Sequence, residues 1–312
     1  MRKKALIFLG LVGILLICLP FILTHHQQYI VILMIIMSLY ALSFNLLFGY
    51  MGLVPFGQSA FFGLGAYTYA LLAMKTKLPF LVCALLSPIV SLVCALVVGY
   101  FCVRLTGIHF AMLSLALGQI LYTIFFEWYS FTGGDNGLVG FFVPSLLTNR
   151  VFFYYLALLV TSIAAFLMWR LVNSPVGYMS KSIKENELRA SFVGISVWKQ
   201  RLLFFTLSGF FSGLAGLLFA LFQVQTHPTY LSVAQTIKVF MMCLLGGYLV
   251  FIGPVIGAFL EVLIETWITY YTTYWMIVLG AVFLFMVIFF PEGIGGIIKR
   301  KLHVYTKNRG PE

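Results

Sequence analysis

Charged side chains are scarce in this sequence, and acidic ones are the scarcest. Only 9% of the 312 residues are charged, and just eight are Asp or Glu, whereas an ordinary soluble domain has about 25% charged residues. Apolar residues make up 62% of the chain, in stretches close to or above the roughly 20 residues that cross a bilayer core. This composition predicts a polytopic integral membrane protein. It leaves no room for a soluble domain of ordinary size, at least ~50 residues.

Motifs for catalysis and redox chemistry are also missing. The chain has no HExxH, no CxxC pair and no GxxxxGK[ST] phosphate-binding loop, and its five scattered histidines offer no obvious general base. A membrane-embedded enzyme is therefore disfavoured, the chain cannot hydrolyse ATP itself, and we expect no cofactor or metal in it. None of the cysteines has metal-ligand spacing, and all lie in or beside apolar segments: Cys18, Cys83, Cys94, Cys102 and Cys243.

Ten apolar segments divide the chain, and we take residues 1–312 as one all-α transmembrane domain of about eight to ten spans. The first is interpreted as an uncleaved helix, because it is longer than the apolar part of a signal peptide and no A-x-A site follows. The third and eighth are short for spanning helices, which favours re-entrant or broken segments. The segments cover residues 5–23, 30–48, 59–74, 80–102, 107–127, 151–172, 201–223, 237–250, 254–272 and 275–291.

Lysine and arginine concentrate on one predicted side of the membrane. With the N-terminus in the cytoplasm, fifteen of the 19 fall on the cytoplasmic side, and Lys75, Lys77, Arg150 and Lys238 do not. Loops rich in Lys and Arg stay cytoplasmic, so both termini and the long basic loop 173–200 are predicted to be cytoplasmic. The net charge of +11 does not indicate nucleic-acid binding, because the basic residues flank apolar segments as lipid-surface anchors rather than sharing one solvated face.

Glycine and proline interrupt the apolar pattern at two places that resemble each other, FGYMGLVPFG (48–57) and GGYLVFIGPVIG (246–257). Irregular backbone at membrane depth persists only inside protein or beside water, and paired interruptions point to a transport pathway. The alternative is that the glycines let helices pack closely, and both interpretations stay open. The candidate pathway residues are Gly52, Pro55, Gly57, Gln58, Ser59, Ser114, Gln119, Gly246, Gly247, Gly253 and Pro254.

The loop 173–200 carries its own helix signals. The run from Ser182 to Glu185 has the pattern of a capping box, and Gly194 is placed as a C-terminal stop, so a helix over about 183–193 is predicted. A helix of ~11 residues rarely persists in water without packing. It therefore docks either on the protein's own helices or on a separate cytoplasmic subunit, and the residues alone favour neither.

Ionisable residues of the eighth and ninth apolar segments form a possible group within the membrane. Glu261 and Glu265 are one helical turn apart in the ninth segment, and Lys238 lies at the start of the eighth. Ionisable residues within a membrane are rare and pair with one another or face a cavity. A structural pair between Lys238 and Glu261 or Glu265 is favoured over a role in gating.

Six fragments, taken in order, resemble the permease subunits of bacterial ABC importers for branched-chain amino acids. The resemblance covers about Tyr40 to Gly296 and is to the second of the two permease types that pair in such importers. It implies a heterodimer with a second permease, two cytoplasmic ATPases that use ATP and Mg, an extracytoplasmic solute-binding protein, and location in the bacterial plasma (inner) membrane. The fragments are GLVPFGQSAFFGLGAYTYALL, GIHFAMLSLALGQI, TGGDNGLVG, SPVGYMSKSIKENELRASFVGI, LLGGYLVFIGPVIGAFLEVLIE and FPEGIGG.

The resemblance also implies that the loop 173–200 couples to an ATPase, whose ATP-driven closure would switch the pathway by alternating access. Two departures concern the solute: Pro55-Phe56-Gly57-Gln58 stands where the family commonly has serine-leucine-glycine-histidine, and Gln119 stands where glutamate is frequent. Urea or short amides are therefore alternatives to leucine, isoleucine and valine, and a passive channel for a small neutral solute is the other alternative. The residues that match the coupling loop are Ser174, Pro175, Gly177, Ile183, Glu185, Asn186, Glu187, Gly194 and Ile195.

Overall fold

A computed structural model describes residues 20, 23–271, 274, 277, 278, 280, 281, 284 and 288. The predicted all-α class is confirmed, since the described part is helical apart from one pair of two-residue strands. The predicted segments 5–23 and 275–291 lie largely outside the described residues, and the FPEGIGG fragment lies wholly outside them. The total number of spans therefore stays a prediction.

Twelve α-helices lie within the described residues. Two strands, β1 (Leu138–Val139) and β2 (Gln225–Thr226), pair antiparallel, and single 3₁₀ turns occur at Gly134–Asn136 and Pro228–Leu231. The helices are α1 (His25–Met51), α2 (Gln58–Lys75), α3 (Phe80–Cys102), α4 (Gly107–Glu127), α5 (Tyr129–Thr132), α6 (Ser145–Thr148), α7 (Arg150–Val172), α8 (Pro175–Glu185), α9 (Glu187–Phe192), α10 (Val197–Gln223), α11 (Val233–Gly246) and α12 (Gly253–Tyr271).

Two long helices, α1 and α10, form the centre of the bundle. A capping box starts α1: the Thr24 N–H donates to Gln27 Oε1 at 3.0 Å, and the Thr24 side chain accepts in return. Both helices are apolar around most of their circumference, as expected of helices that neighbours cover on every side, and α7, α11 and α12 pack against α1. The core of the protein therefore lies along these two helices.

The outer helices α3, α4 and α7 present apolar side chains to the surroundings. Together with α1 and α10 they are the five described helices that are long and apolar enough to cross a membrane, by length and composition. Such an exposed apolar surface suits lipid, where a soluble protein would carry charge. Exposed examples are Leu81, Leu85, Val93, Met112, Ile120, Ile163 and Phe166.

Small residues allow α2 to lie very close to α3 and α10. A Cβ on Gly65 would overlap the backbone of Gly213, and Ser87 Oγ donates to the Gly65 carbonyl at 2.6 Å. Small residues at helix crossings let backbones approach in membranes. At Gly65 the packing interpretation of the glycines is therefore the one that the contacts support.

The two ends of the bundle carry different basic residues. At one end Arg104 lies over the Tyr100 ring, and that ring is 5.7 Å from the Trp198 ring at the start of α10. At the other end Lys75 Nζ donates to the Phe131 carbonyl at 3.1 Å. We call the first the loop end, because α8 and α9 are there, and the second the far end.

Candidate functional site

At the first glycine-rich break, residues 52–57, the backbone is not helical and runs from the loop end into the interior. Gly52, with φ +70°, ends α1, and α2 begins only at Gln58. Gln58 Nε2 donates to Ser208 Oγ at 2.8 Å, and Ser208 Oγ donates to the Ser43 carbonyl. Ser43 lies eight residues before the end of α1, which is about 12 Å of helix. Residues 52–57 therefore descend to that depth without being helical.

Side chains satisfy the polar backbone groups that this break leaves free. The Phe56 N–H donates to Ser114 Oγ at 3.1 Å, and the Ser59 N–H donates to Thr236 Oγ1 at 3.0 Å. A Cβ on Gly57 would overlap the backbone at Ser114. Buried irregular backbone at membrane depth needs such partners. Gly57 therefore has a packing role, and a role in a pathway stays a prediction for all the residues of this break.

The second break separates α11 from α12. Gly247, with φ +93°, follows the last residue of α11, and α12 begins at Gly253 with Pro254 in its first turn. A Cβ on Gly246 would overlap the Gly253 backbone, and a Cβ on Gly257 would overlap the backbone of Met242. The predicted eighth segment thus corresponds to a helix of 14 residues, which is too short to cross a bilayer core.

The two breaks meet each other at the loop end. A Cβ on Gly49 would lie 2.6 Å from the Tyr248 carbonyl oxygen. The Phe48 ring centroid lies 4.7 Å from that of Tyr248 and 5.2 Å from that of Phe240. The echo between the two sequences therefore corresponds to spatial contact, which the sequence comparison did not predict.

Buried amide groups without partners lie near the breaks. Both side-chain amide atoms of Asn45 and the Oε1 atom of Gln58 are buried and make no hydrogen bond within the described residues. Leaving such groups unsatisfied costs free energy unless water or a solute reaches them.

Gln119, another predicted pathway residue, does not lie near the breaks. It is exposed on α4, about 140° around the helix from Ser114 at ~100° per residue.

The helix predicted over 183–193 is wrong in its start. Ser174 caps α8 instead, with Pro175 in the first turn, a favourable arrangement because proline has no N–H to leave unpaired there. The hydroxyl of Ser182 donates to a carbonyl one turn earlier and caps nothing. Asn186 then interrupts the helix, and its side chain caps α9 by accepting from a backbone N–H at 2.9 Å.

Partly buried polar contacts hold α8 and α9 against the start of α10. Arg201 donates to both carboxylate oxygens of Glu187, at 3.1 and 2.7 Å, and its side chain is 7% exposed. Gln200 Nε2 donates to the Val176 carbonyl at 2.5 Å and to Ser180 Oγ at 3.0 Å. Bidentate arginine–carboxylate pairs fix orientation as well as adding energy. The loop therefore has a defined position on the bundle.

The other residues predicted for coupling have definite places in this loop. Ile183 is buried and Glu185 is exposed, without a hydrogen bond or ion pair in the described part of the chain. A Cβ on Gly177 would overlap the backbone at Val172, so α8 can fold back tightly on α7. Gly194, with φ +86°, follows the end of α9, and the predicted C-terminal stop is confirmed.

The outer face of α9 is apolar and open to solvent. Leu188 is 71% exposed, Phe192 is 88% exposed and Val193 is 82% exposed. Leu188 and Phe192 are four residues apart and so lie on the same helix face. We call these three residues the apolar knob. Sequence reasoning missed the knob, although the i, i+4 spacing of Leu188 and Phe192 in a polar loop was visible.

Lys184 joins this loop to both breaks. Its Nζ donates to the Gly49 carbonyl at 2.7 Å and lies 5.1 Å from the centroid of the Tyr248 ring. A Cβ on Gly52 would lie 3.1 Å from Lys184 Cγ. Partial burial lowers the pKa of Lys184. Sequence reasoning missed this residue because its contacts are distant along the chain.

Lys238 contacts both intramembrane glutamates. Its Nζ lies 3.7 Å from Glu261 Oε1 and forms a shorter ion pair with Glu265 Oε2. Glu261 is 1% exposed, and its carboxylate oxygens accept no hydrogen bond within the described residues. The three side chains line a cavity of about 1280 Å³, together with residues of the far end such as His26 and Tyr271. The cavity walls are largely apolar.

The described residues form a helical bundle with buried backbone breaks and an anchored loop, and five of its helices are long and apolar enough to cross a membrane. These features define the class as a multi-pass membrane protein. Residues 27–287 match the family described as branched-chain amino acid transport system, permease component. The chain belongs to this ABC permease family, whose permease subunits are not enzymes and work with ATPase and binding-protein partners.

Two curated relatives extend this finding. The chain is 28% identical to the high-affinity branched-chain amino acid transport system permease protein LivM of Salmonella typhimurium, over 93% of this chain and 75% of the relative. It is 27% identical to the protein of the same name from Escherichia coli, with the same coverage. No solved structure matches the chain.

Proposed function

We propose that this protein is a membrane subunit of an ATP-driven importer that moves leucine, isoleucine and valine across the bacterial plasma membrane by alternating access. Family membership and the names of the two relatives support this solute class. In the proposed assembly the chain pairs with a second permease as a heterodimer. Two cytoplasmic ATPases and one external solute-binding protein complete it.

The observation that carries the proposal is the apolar knob on an anchored helix. Fully burying one such side chain contributes about 1.5–3 kcal/mol, so an exposed set of three is an unfavourable surface unless a partner covers it. The Glu187–Arg201 pair holds the knob in a fixed orientation, as a docking element requires. We assign the cover to the ATPase subunit, because the family supplies a partner of that kind.

The arrangement of the two ends supports a direction of transport. In the proposal the loop end, with Arg104 and Arg201, faces the cytoplasm, because basic residues are retained there. The far end, where Arg150 donates to the His25 carbonyl, faces outward. The cavity at the far end would then receive solute, and both breaks would border the closed inner part of the conduit. Substrate sites near broken segments are a general feature of transporters.

The charges of the cavity suit passage of a zwitterion more than tight capture. Lys238 is already paired with Glu265, and Glu261 is almost fully buried, so the wall offers a solute mainly apolar surface. In this proposal the external binding protein supplies the affinity. Gln58 and Ser59 are hydrogen-bonded and buried, and we assign them to the closed part of the conduit.

The test uses the complete transporter in proteoliposomes with ATP inside. We expect uptake of labelled leucine that needs ATP and the binding protein, and no uptake of urea or acetamide. The double variant L188S/F192S is expected to lose uptake at least tenfold. The variant E185K reverses one exposed charge of the same loop and leaves the knob intact, so its uptake shows whether charge, rather than the apolar surface, is needed for docking. Leucine uptake without ATP would indicate a passive channel, and ATP-driven urea uptake would indicate an amide importer.

A further inference from the structure

We propose that Lys184 is a positioning residue that transmits movement of the docked loop to both glycine-rich breaks at once. This inference rests on the proposed function and assigns a mechanical role within it to one side chain. No other described side chain of α8 or α9 donates to the first break and also contacts a ring of the second.

In the contact with the first break, Lys184 caps the C-terminal end of α1, although it belongs to a different helix. The last four carbonyls of an α-helix lack intrahelical donors. Gly49 O is one of them in α1, because the N–H groups of Gly52 and Leu53 both donate to Leu47 O. Lys184 Nζ satisfies that carbonyl at 2.7 Å. Its positive charge also lies at the C-terminal end of α1, where the helix dipole favours a cation.

The contact with the second break is made by the same ammonium group. The Nζ atom lies 5.1 Å from the Tyr248 ring centroid, within the range of a cation–π interaction. Tyr248 follows the end of α11 by two residues, and its own carbonyl lies against Gly49. One charge therefore holds together the end of α1, the turn after α11, and the loop.

The geometry on the loop side makes this link stiff. Lys184 lies in the last turn of α8, next to the buried Ile183, and α9 is tied to α10 by the Glu187–Arg201 pair. The knob and Lys184 therefore belong to one short, well-anchored unit. A partner that shifts the knob shifts the ammonium group with it, and the two breaks are the structures that the ammonium group touches.

Lys181 provides a matched control in the same helix. Its Nζ lies 5.5 Å from the Tyr50 ring and 4.9 Å from the Tyr178 ring. It thus carries the same charge and also contacts the end of α1, but the described contacts do not connect it with the second break. If charge near the membrane surface were sufficient, Lys181 and Lys184 would be equivalent.

The experiment compares K184M, K184R and K181M in the complete transporter in proteoliposomes. We expect K184M to retain its ATPase subunits and its basal ATP hydrolysis within twofold of wild type. Uptake of leucine and the stimulation of hydrolysis by loaded binding protein are expected to fall at least tenfold. K184R regains part of both, because a guanidinium group can still donate to the Gly49 carbonyl, and K181M behaves as wild type.

A distance measurement tests the link apart from the transport activity. Nitroxide labels at S182C and L249C, in a chain without its native cysteines, report on the separation between the loop and the second break. We expect one narrow distance distribution in the wild-type permease pair without nucleotide, and a broader one in K184M. If wild type shows no ATP-driven uptake, the proposed function fails while this measurement still decides the inference.

Three results would overturn the role of Lys184. One is K184M with wild-type uptake and an unchanged distance distribution. Another is K184M that no longer binds the ATPase subunits, since the residue would then serve assembly. The third is K181M with the same uptake defect as K184M, because the effect would then belong to the charge of the helix and not to the contacts of one side chain.

Discussion

The Glu187–Arg201 pair joins two elements that the sequence places fourteen residues apart. Arg201 is nearly buried whereas Glu187 is 44% exposed, so removal of the carboxylate leaves a buried guanidinium group without its partner. Fully buried pairs cost about 3–5 kcal/mol to break, and solvent screening reduces this. We expect E187Q to lower the free energy of unfolding by about 1–2 kcal/mol.

The measurement is the thermal midpoint of the permease pair in detergent, with E185Q as the control. Glu185 is exposed and makes no ion pair in the described part of the chain, so E185Q should leave the midpoint unchanged. Equal midpoints for E187Q and E185Q would show that the pair does not hold the loop in place.

At Gly57, the addition of one methyl group is expected to lower the stability of the fold. A Cβ there would overlap the backbone of Ser114, which cannot move away as a flexible side chain could. Forcing extra atoms into a packed interior typically costs about 1–3 kcal/mol. We therefore expect G57A to lower the thermal midpoint and the yield of folded protein. The matched control is G280A, because a Cβ on Gly280 meets no atom of the described residues within 4 Å. The expectation fails if both variants are equally stable.

At the scale of elements, the division of the loop into α8 and α9 depends on Asn186. Its side chain caps α9, and replacing such a cap by alanine costs about 1 kcal/mol. We expect N186A to speed hydrogen exchange of the α9 amides about fivefold, the factor that corresponds to 1 kcal/mol. N149A removes the equivalent cap of α7 and should affect only α7. Unchanged exchange in α9 would mean that other contacts alone hold the helix.

The loop also shows which helix starts and ends can be predicted from sequence patterns. Gly194 ends a helix as expected, because a left-handed residue there needs no partner from elsewhere in the chain. The capping pattern at Ser182 was misleading, since Ser174 and Pro175 offer a stronger start eight residues earlier and local pattern cannot decide between two starts. Long apolar helices such as α3 and α7 agree with the predicted segments 80–102 and 151–172 to within one residue at each end.

At the scale of the whole molecule, family and fold class were predictable, whereas the contacts between distant segments were not. Lys238 could be matched with Glu261 and Glu265 because charges in a bilayer have few possible partners. The meeting of Gly49 with Tyr248 joins residues about two hundred positions apart, and no local pattern encodes it. Gln119 lies on an exposed face of α4, so its proposed pathway role requires a surface completed by another subunit.

Also at the scale of the whole molecule, the ion-pair cluster of Lys238, Glu261 and Glu265 can be tested for a structural role at the far-end cavity. Replacing Lys238 by methionine leaves two nearby carboxylates, one of them almost fully buried, without their cation. Breaking a buried ionic cluster in this way costs about 3–5 kcal/mol. We expect K238M to express poorly and the triple variant K238M/E261Q/E265Q to recover folded protein. The yield from size-exclusion chromatography in detergent is the readout, and equal yields would argue against a structural role for the cluster.

A site-specific photo-crosslink from the apolar knob tests most directly whether the loop docks on an ATPase subunit. A benzophenone amino acid replaces Phe192 in the complete transporter, and in a control it replaces Phe131, which is exposed at the far end. We expect a cross-link between position 192 and an ATPase subunit, and none from position 131. A cross-link from position 192 to lipid or to the partner permease alone, with the ATPases bound and active, would contradict it.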